Sequence, residues 1–280
     1  MWGLGDNIYQ RPFIQMLSER TTVYLETPWP ELYADLPNVR FVLGKRNLRT
    51  QLKNIARQDA SRWSRVPRGV PTIALKVHYN LQHHSIIQEM ANCFRIGDRV
   101  ELSLPPQERW TVTFKPIAII RPVTVRREWH NSARNPEPNY VNYCAEQLRQ
   151  THHVIVLADL EDGQEELVGN LPPHDTAWIN GQVKADRLFA LVQAADVLVG
   201  GVGWIVPAAV AARKCAFVVL GGQGGHNAPE KILAPWWKHR ITFAEPDNFC
   251  RCINMRHSCQ KTISNLAAHF TRFIGHNATI

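Results

Sequence analysis

The chain has 280 residues, 45% of them hydrophobic and 20% charged, which is typical of a globular protein large enough for two domains. No apolar run reaches the roughly 18 residues of a membrane span, and the start, Met-Trp-Gly-Leu-Gly-Asp, lacks the basic and apolar regions of a signal peptide. Six cysteines in a chain of this length do not form a disulfide framework, so the sequence predicts a protein of the reducing cytoplasm.

Strand-like apolar runs alternate with helical patterns, which predicts an α/β fold built mainly on parallel sheets. In the first half the predicted strands are residues 22–25, 39–43 and 72–76, and the predicted helices are residues 12–19 and 85–92. Prolines and polar residues then interrupt both patterns between Ser103 and Trp110. This interruption indicates a junction between two domains.

The second half restarts the pattern. Its predicted strands are residues 117–120, 153–158, 197–200 and 216–220, and its predicted helices are residues 139–150, 186–195 and 259–273. The last helix has no strand after it. We therefore expect an amino-terminal domain over residues 1–112, a carboxyl-terminal domain over residues 113–258, and a helical tail, 259–280, that packs back on the first domain.

The net charge of +8 is unevenly placed, because eight basic residues and one acid lie between Lys45 and Arg68. In a helix Lys45, Arg49 and Lys53 share one face. Two interpretations stay open: a solvated helix face, or a docking strip for an anionic partner such as a phosphorylated glycan or a nucleic acid backbone.

The most informative stretch is Val197–Arg213, which reads as a buried strand, a glycine loop and a helix. The next strand ends in a second glycine loop, residues 221–227. Backbone N–H groups can approach a ligand closely at such loops, and a helix amino terminus adds its positive dipole end. The pattern therefore predicts a phosphate-binding edge of the sheet.

Two further segments carry candidate chemistry. Near the start, Gly3-Leu-Gly5-Asp6 precedes a helical pattern that contains Pro12, and Asp6 reads either as a cleft carboxylate or as a helix cap. After the strand at 117–120 comes an arginine-rich loop, residues 121–136. Arginines at the carboxyl end of a strand suit an anionic group.

In their order and spacing, these segments resemble the glycosyltransferase 9 family, the group of the lipopolysaccharide heptosyltransferases. The matching positions are Gly5-Asp6 and Pro12, then Arg134 where heptosyltransferases carry a lysine, and the loop Ala195–Gly203 with Gly221 and Gly222 in the following turn. The cysteine-bearing tail, residues 250–259, also resembles tails in part of that family.

The resemblance implies a GT-B fold, two Rossmann-like domains with parallel sheets and the active cleft between them. It implies an inverting transferase that needs no metal or other cofactor, with a nucleoside-diphosphate sugar as donor substrate and Asp6 as general base. The implied diphosphate-binding residues are Arg126, Arg134, Gly201, Val202, Gly203, Trp204 and Gly222, and the ribose or base contacts are Glu161 and Trp178. The implied acceptor-binding residues are Gly5, Asn7, His78, Lys45, Arg49 and Lys53.

The expected acceptor is an anionic cell-surface glycan resembling a lipopolysaccharide core, reached by a protein with no transmembrane segment and with peripheral membrane contact. The basic strip keeps open a DNA glycosyltransferase acting on hydroxymethylated bases. A further alternative is a non-catalytic binding protein on the same scaffold, because Gly201 and Val202 replace the family's Asp and Ser/Thr.

Two other features leave alternatives open. The family places a strand before the Gly-Asp turn, where this chain offers Met1 and Trp2, so either the natural start lies upstream or the first sheet has a depleted centre. Cys250, Cys252, His257 and Cys259 are of the types that bind zinc tetrahedrally, but their tight spacing favours free thiols over a metal site.

Overall fold

The computed structural model describes residues 3–45, 48–108 and 115–277. Its helices are α1 (Leu4–Ser18), α2 (Arg49–Ala56), α3 (Ile86–Phe94), α4 (Pro138–Arg149), α5 (Ala185–Ala194), α6 (Ile205–Ala212), α7 (Gly224–Asn227), α8 (Pro229–Ile232) and α9 (Leu266–Asn277). Its strands are β1 (Val23–Glu26), β2 (Val39–Val42), β3 (Ile117–Ile120), β4 (Thr124–Arg126), β5 (His153–Leu157), β6 (Glu165–Leu167), β7 (Thr176–Trp178), β8 (Val197–Gly200), β9 (Cys215–Val219) and β10 (Ile241–Ala244). None of the helices in these ranges combines the length and the apolar character that crossing a bilayer requires.

The carboxyl-terminal half is built on a six-stranded parallel sheet in the order β10-β9-β8-β3-β5-β7. All residues of β3, β8 and β9 are buried, as their continuous apolar runs predict for strands covered on both faces. The chain leaves β3 toward β5 on one side and returns as β8 on the other side. The strand order therefore reverses between β3 and β8, and the crevice beyond their carboxyl ends is where such sheets bind ligands.

The amino-terminal half departs from the expected Rossmann-like domain. Its described sheet has two parallel strands, β1 and β2, and the strand predicted at residues 72–76 is instead irregular and exposed. The prediction was wrong because the apolar residues of this segment have no partner strand to pair with. Of the expected Rossmann-like sheet in the first domain, the described residues thus contain only two parallel strands.

The first helix begins eight residues earlier than predicted, at Leu4. Proline favours the first turn of a helix, so the sequence pointed to a start at Pro12, but Pro12 lies inside α1. Burial explains the longer helix: Ile8 and Phe13 are fully buried, and the Phe13 ring stacks on Phe94 of α3 with centroids 5.3 Å apart.

The helix α1 joins the two halves. It packs on α6 as well as on α3, and a Cβ atom built at Gly5 would lie 3.2 Å from the Cα atom of Trp204. A side chain at position 5 would push the helix away from the glycine loop. Farther along α1, the buried Arg11 donates two hydrogen bonds to the Asp35 carboxylate, at 2.9 and 2.6 Å.

The tail does not pack as expected. Helix α9 begins at Leu266, after an irregular segment, and contacts β9 and β10 of the large sheet rather than the amino-terminal half. The rings of Phe270 and Phe273 lie against Phe217 of β9, with centroids 5.0 and 5.3 Å apart, and this apolar contact covers a sheet face that would otherwise meet water. The domain boundary expected at residue 112 lies outside the described residues.

The packing of α9 predicts the effect of Phe270→Ala. Phe270 is buried against Phe217, Phe273 and Tyr143, so its truncation should lower the free energy of unfolding by about 3–5 kcal/mol. Thr271→Ala, at the exposed neighbouring position, should change it by less than about 0.5 kcal/mol. Urea unfolding measures both, and equal stability of the two variants would contradict this packing.

Candidate active site

A cleft of about 840 Å³ lies beyond the carboxyl ends of β3 and β8, between the two halves. The amino-terminal half contributes the first turn of α1, Tyr79 and part of α2. The carboxyl-terminal half contributes the arginine-rich loop after β3 and the glycine loop after β8. The cleft thus collects three of the segments singled out in the sequence, because α1 crosses to the glycine loop.

Asp6 lies in the first turn of α1 and faces this cleft. The Gly3 N–H donates to its Oδ2 at 2.9 Å, and the Tyr79 hydroxyl donates to its Oδ1 at 3.3 Å. Burial raises the pKa of the Asp6 carboxyl to about 6, although these hydrogen bonds and Arg134 favour its charged form. The group is therefore ionised at neutral pH yet basic enough to accept a proton.

Three arginines converge opposite Asp6: Arg121, Arg126 and Arg134. Arg126 pairs with the buried Glu165, with its Nε atom 2.9 Å from the carboxylate. Burial, the largest cause, and the charges of Arg126 and Arg134 together lower the pKa of Arg121 to about 10. Arg121, which follows β3 directly, is the residue that sequence reasoning left out of the binding set, although it belongs to the arginine-rich loop.

Arg121 and Arg134 make no ion pair with a carboxylate among the described residues. The Arg134 Nε is buried without a hydrogen-bond partner, and the pKa of Arg134 is lowered by burial and by Arg126. Both guanidinium groups stay charged at neutral pH. Partly buried positive charge without a carboxylate partner suits a polyanionic ligand, of which a diphosphate is the obvious example.

The glycine loop after β8 brings Val202, Gly203 and Trp204 to the cleft. A Cβ atom at Gly203 would lie 3.1 Å from Nη1 of Arg121, so the loop and the guanidinium are in close contact. Gly201 lies instead against Pro136, and Gly222 against Cys259, and neither lines the cleft. Their roles in binding stay predictions, and their positions indicate that they allow close packing of loops.

Buried amides hold the two loops together behind the arginines. The Asn131 side chain donates to Gln223 Oε1 at 2.8 Å, and the Arg134 N–H donates to Asn131 Oδ1 at 3.2 Å. Gln223 has a φ of +57°, a left-handed backbone that costs free energy in residues other than glycine. Sequence reasoning missed both amides, because no local pattern reveals a partner 92 residues away.

The far end of the cleft is apolar on one side. Trp178 lines it together with Leu157, Val183 and Leu188, which provides a surface of the kind that a nucleobase occupies. Glu161, the other predicted ribose or base contact, lies at the rim and is exposed. Its carboxylate is 2.8 Å from Arg49 and 3.2 Å from Lys53, so the two halves of the protein meet at this point.

The predicted acceptor residues are only partly brought together. Gly5 and Lys53 line the cleft, whereas Lys45 and His78 are exposed and do not. Asn7 is buried, and its Oδ1 accepts a hydrogen bond from Thr27 at 2.8 Å. Tyr79 occupies the place expected for His78, because adjacent residues of an extended segment point to opposite sides.

Arg49 belongs to the same predicted set but is committed to an ion-pair network. Its guanidinium lies 2.9 Å from Glu165 and 2.8 Å from Glu161, and Lys53 lies 2.7 Å from Asp159. The basic strip predicted between residues 45 and 68 is therefore partly covered by the acidic side chains of the other half. Binding of a nucleic acid backbone by the whole strip stays a prediction.

The four candidate metal ligands, Cys250, Cys252, His257 and Cys259, come together after β10. All their ligand atoms lie within 4.8 Å of one another. The Sγ atoms of Cys252 and Cys259 are 3.6 Å apart, and His257 Nδ1 is 3.6 Å from Cys250 Sγ and 3.4 Å from Cys259 Sγ. Zinc bonds of about 2.3 Å to sulfur and about 2.0 Å to nitrogen place neighbouring ligands of a tetrahedron about 3.5–3.8 Å apart.

No family profile matches the chain, and no curated protein matches its sequence. Solved structures do resemble it. The dodecameric iron-containing glycosyltransferase TibC of enterotoxigenic E. coli H10407 is 11% identical, with a TM-score of 0.62 over 99% of this chain and 74% of TibC. TibC bound to ADP-D-beta-D-heptose, and described there as a heptosyltransferase, gives a TM-score of 0.63 at 12% identity over the same shares.

A glycosyltransferase of family 9 from Veillonella parvula DSM 2008 is 14% identical, with a TM-score of 0.52 over 87% of this chain and 83% of that one. At such low identities the likeness shows the fold. The α/β prediction is thereby confirmed: the chain has the GT-B fold of these glycosyltransferases, with a first sheet reduced to two described strands.

Proposed function

We propose that this protein is a glycosyltransferase of family 9 that moves a sugar from a nucleoside-diphosphate sugar to a hydroxyl group of an anionic acceptor. One observation carries the proposal: a carboxyl group with a pKa raised to about 6 faces a cluster of partly buried arginines in a single cleft. The ADP-heptose bound to TibC supports a donor of this class. The free cysteines support a reducing compartment, the cytoplasm.

Asp6 is the general base. Its carboxylate accepts the proton of the acceptor hydroxyl, whose oxygen forms a bond to the anomeric carbon on the face opposite the diphosphate. The bond between that carbon and the diphosphate oxygen breaks, its electron pair leaves with the diphosphate, and the configuration inverts. The Gly3 N–H and the Tyr79 hydroxyl hold the carboxylate in place.

The arginines stabilise the departing diphosphate. Arg121 and Arg134 bring positive charge that the carboxylates around them leave uncompensated, and the N–H groups of Val202, Gly203 and Trp204 lie beside them. Gly201 and Val202 stand where the family has polar side chains. Arg121 supplies a polar group at this loop, because its guanidinium contacts the loop at Gly203. The positive charge needed for this step comes from the chain's own residues.

An anionic glycan fits the cleft better than DNA does. Arg57 reaches the cleft just after α2, whereas Arg49 and Lys53 are held by carboxylates of the other half and cannot serve an extended phosphate backbone. The presence of a basic carboxylate beside the arginines also favours catalysis over binding alone, since a binding protein has no use for a general base.

Asp6→Asn tests the general base. The variant should lower the rate of nucleoside-diphosphate release by about 100-fold or more while leaving the thermal shift by the same nucleotide-sugar unchanged. In the wild type, kcat/KM should rise about tenfold per pH unit below pH 6 and level off above it, because only the ionised carboxylate accepts the proton.

The variant should show no such inflection near pH 6. Full-rate release by Asp6→Asn would remove Asp6 from the mechanism. Nucleotide binding without release by the wild type, over a panel of nucleotide-sugars and glycan acceptors, would instead establish a non-catalytic binding protein.

Arg121→Leu tests the diphosphate site. The variant should weaken binding of a nucleoside diphosphate by about tenfold or more, since it removes a buried charge-assisted contact, and should leave the affinity for the free nucleoside unchanged. Arg127→Leu is the matched control, because Arg127 belongs to the same loop but is exposed and does not line the cleft. Calorimetry on the nucleotide with the largest thermal shift measures both, and equal losses would contradict the assignment.

The cysteine cluster fits a structural metal ion. Three cysteine sulfurs and one imidazole within 4.8 Å of one another are a donor set for zinc, and the iron of TibC makes iron the second candidate. Such an ion would brace the second glycine loop, because the N–H groups of Gly224 and Gly225 donate to the carbonyls of Cys250 and Cys252, at 2.8 and 3.1 Å.

Metal analysis of the purified protein should find about one equivalent of zinc or iron. Cys252→Ser should lose the metal and weaken nucleotide binding, because the glycine loop loses its support. Cys93→Ser should do neither, since Cys93 lies in α3, outside the cluster. Less than about a tenth of an equivalent of either metal would leave these residues as free thiols.

A further inference from the structure

A stretch of twelve consecutive exposed residues, 65–76, leaves the amino-terminal half as an arch. Its first end is fixed by the Ser64 N–H, which donates to the Phe41 carbonyl at 2.7 Å. Its other end is fixed by Val77, which is buried. Pro67 and Pro71 flank a turn at Gly69, whose φ of +76° suits glycine, so the arch has limited conformational freedom.

The arch exposes apolar side chains that a protein normally covers. Ile73 is 91% exposed, and the other three large apolar residues are also open to solvent: Val70 at 53%, Leu75 at 46% and Val66 at 44%. Scattered exposed apolar residues are ordinary, but a cluster of four within ten residues marks an interaction surface. The predicted strand at 72–76 fails to form here, which leaves this surface open.

Charge identifies the partner. No aspartate or glutamate occurs between residues 60 and 88, and Arg62, Arg65, Arg68 and Lys76 surround the apolar residues. Pairing the arch with the same arch of a second copy would bring these cations together, because the same patch meets itself in a two-fold interface. Cations around apolar side chains are complementary to the anionic headgroups and acyl boundary of a membrane.

We propose that the 65–76 arch docks this protein on an anionic membrane surface, with Val70 and Ile73 inserted at the acyl boundary and Arg65, Arg68 and Lys76 on the headgroups. Lys76 lies three residues before Tyr79, the hydrogen-bond partner of Asp6, and three residues of chain span at most about 10 Å. Docking therefore holds the acceptor side of the cleft at the bilayer surface.

Vesicle flotation of the full chain, without any nucleotide-sugar, tests the docking separately from the transferase function. The wild type should float with vesicles containing about 30% phosphatidylglycerol and should bind phosphatidylcholine vesicles much more weakly. Raising the salt concentration from about 0.1 to about 0.5 M should weaken the binding, because the headgroup attraction is screened. Equal binding to both vesicle types would overturn the electrostatic part of the proposal and with it the choice of partner.

Variants of the arch locate the surface. Ile73→Ser should weaken partition onto the anionic vesicles about tenfold, and Arg65→Ser or Arg68→Ser about fivefold each. The matched controls are Met16→Ser on α1 and Arg272→Ser on α9, which are exposed but lie outside the arch and should leave the partition unchanged.

Nucleotide-sugar turnover without vesicles should be the same in the arch variants and the wild type, since none of the changed residues lines the cleft. Unchanged flotation of Ile73→Ser would overturn the proposal. So would a change of sedimentation mass on Ile73→Ser with no change in flotation, which would make the arch a contact between copies. Asp6→Asn should lose turnover but float normally, so that membrane docking and the transferase function are tested independently.

Discussion

The close contact between the first turn of α1 and the glycine loop governs the whole site. Gly5 lies against the backbone of Trp204, where a Cβ atom would be 3.2 Å from the Trp204 Cα atom. This close contact places Asp6 beside the arginines of the other half. Side chains along the length of α1, among them Ile8 and Phe13, are buried in the core, and this burial keeps the helix in position. The carboxylate and the arginines therefore share one site because α1, which lies in the same apolar core as α6, brings Asp6 to the glycine loop.

The distribution of negative charge divides the basic residues into two groups. Glu165 neutralises Arg126 and Arg49, and the carboxylates of Asp159 and Glu161 hold Lys53. These pairs join α2 to the carboxyl-terminal half beside the cleft. Arg121 and Arg134 make no such pair among the described residues, so the positive charge available to a ligand is concentrated in the cleft, at the proposed diphosphate position, rather than spread along the surface.

The sequence correctly predicted the elements that depend on a local pattern of residues. The parallel strands around β3, β8 and β9 and the two glycine loops follow from apolar runs and glycine spacing, and the sheet edge they form lies at the cleft. The sequence pattern did not predict the start of α1, because the burial of residues before Pro12 overrides the preference of proline for the first turn of a helix. The packing of α9 depends on Phe217, which is distant in sequence and which no local pattern connects to α9. The irregular segment after residue 76 carries no periodic signal that would choose between the neighbours His78 and Tyr79.

The arginine loop, the second glycine loop and the cysteine segment form one connected unit behind the cleft. The Ala133 N–H donates to the Met255 carbonyl at 3.0 Å, Lys261 donates to the Ser132 carbonyl at 2.9 Å, and Gln223 donates to Ile253 at 3.1 Å. None of these bonds involves the Asp6 carboxylate or a guanidinium group of the cleft. Because each one fixes a loop that carries Arg134 or flanks it, removing a metal ion from the proposed cysteine site would shift Arg134, and with it the proposed nucleotide binding, rather than the proposed base.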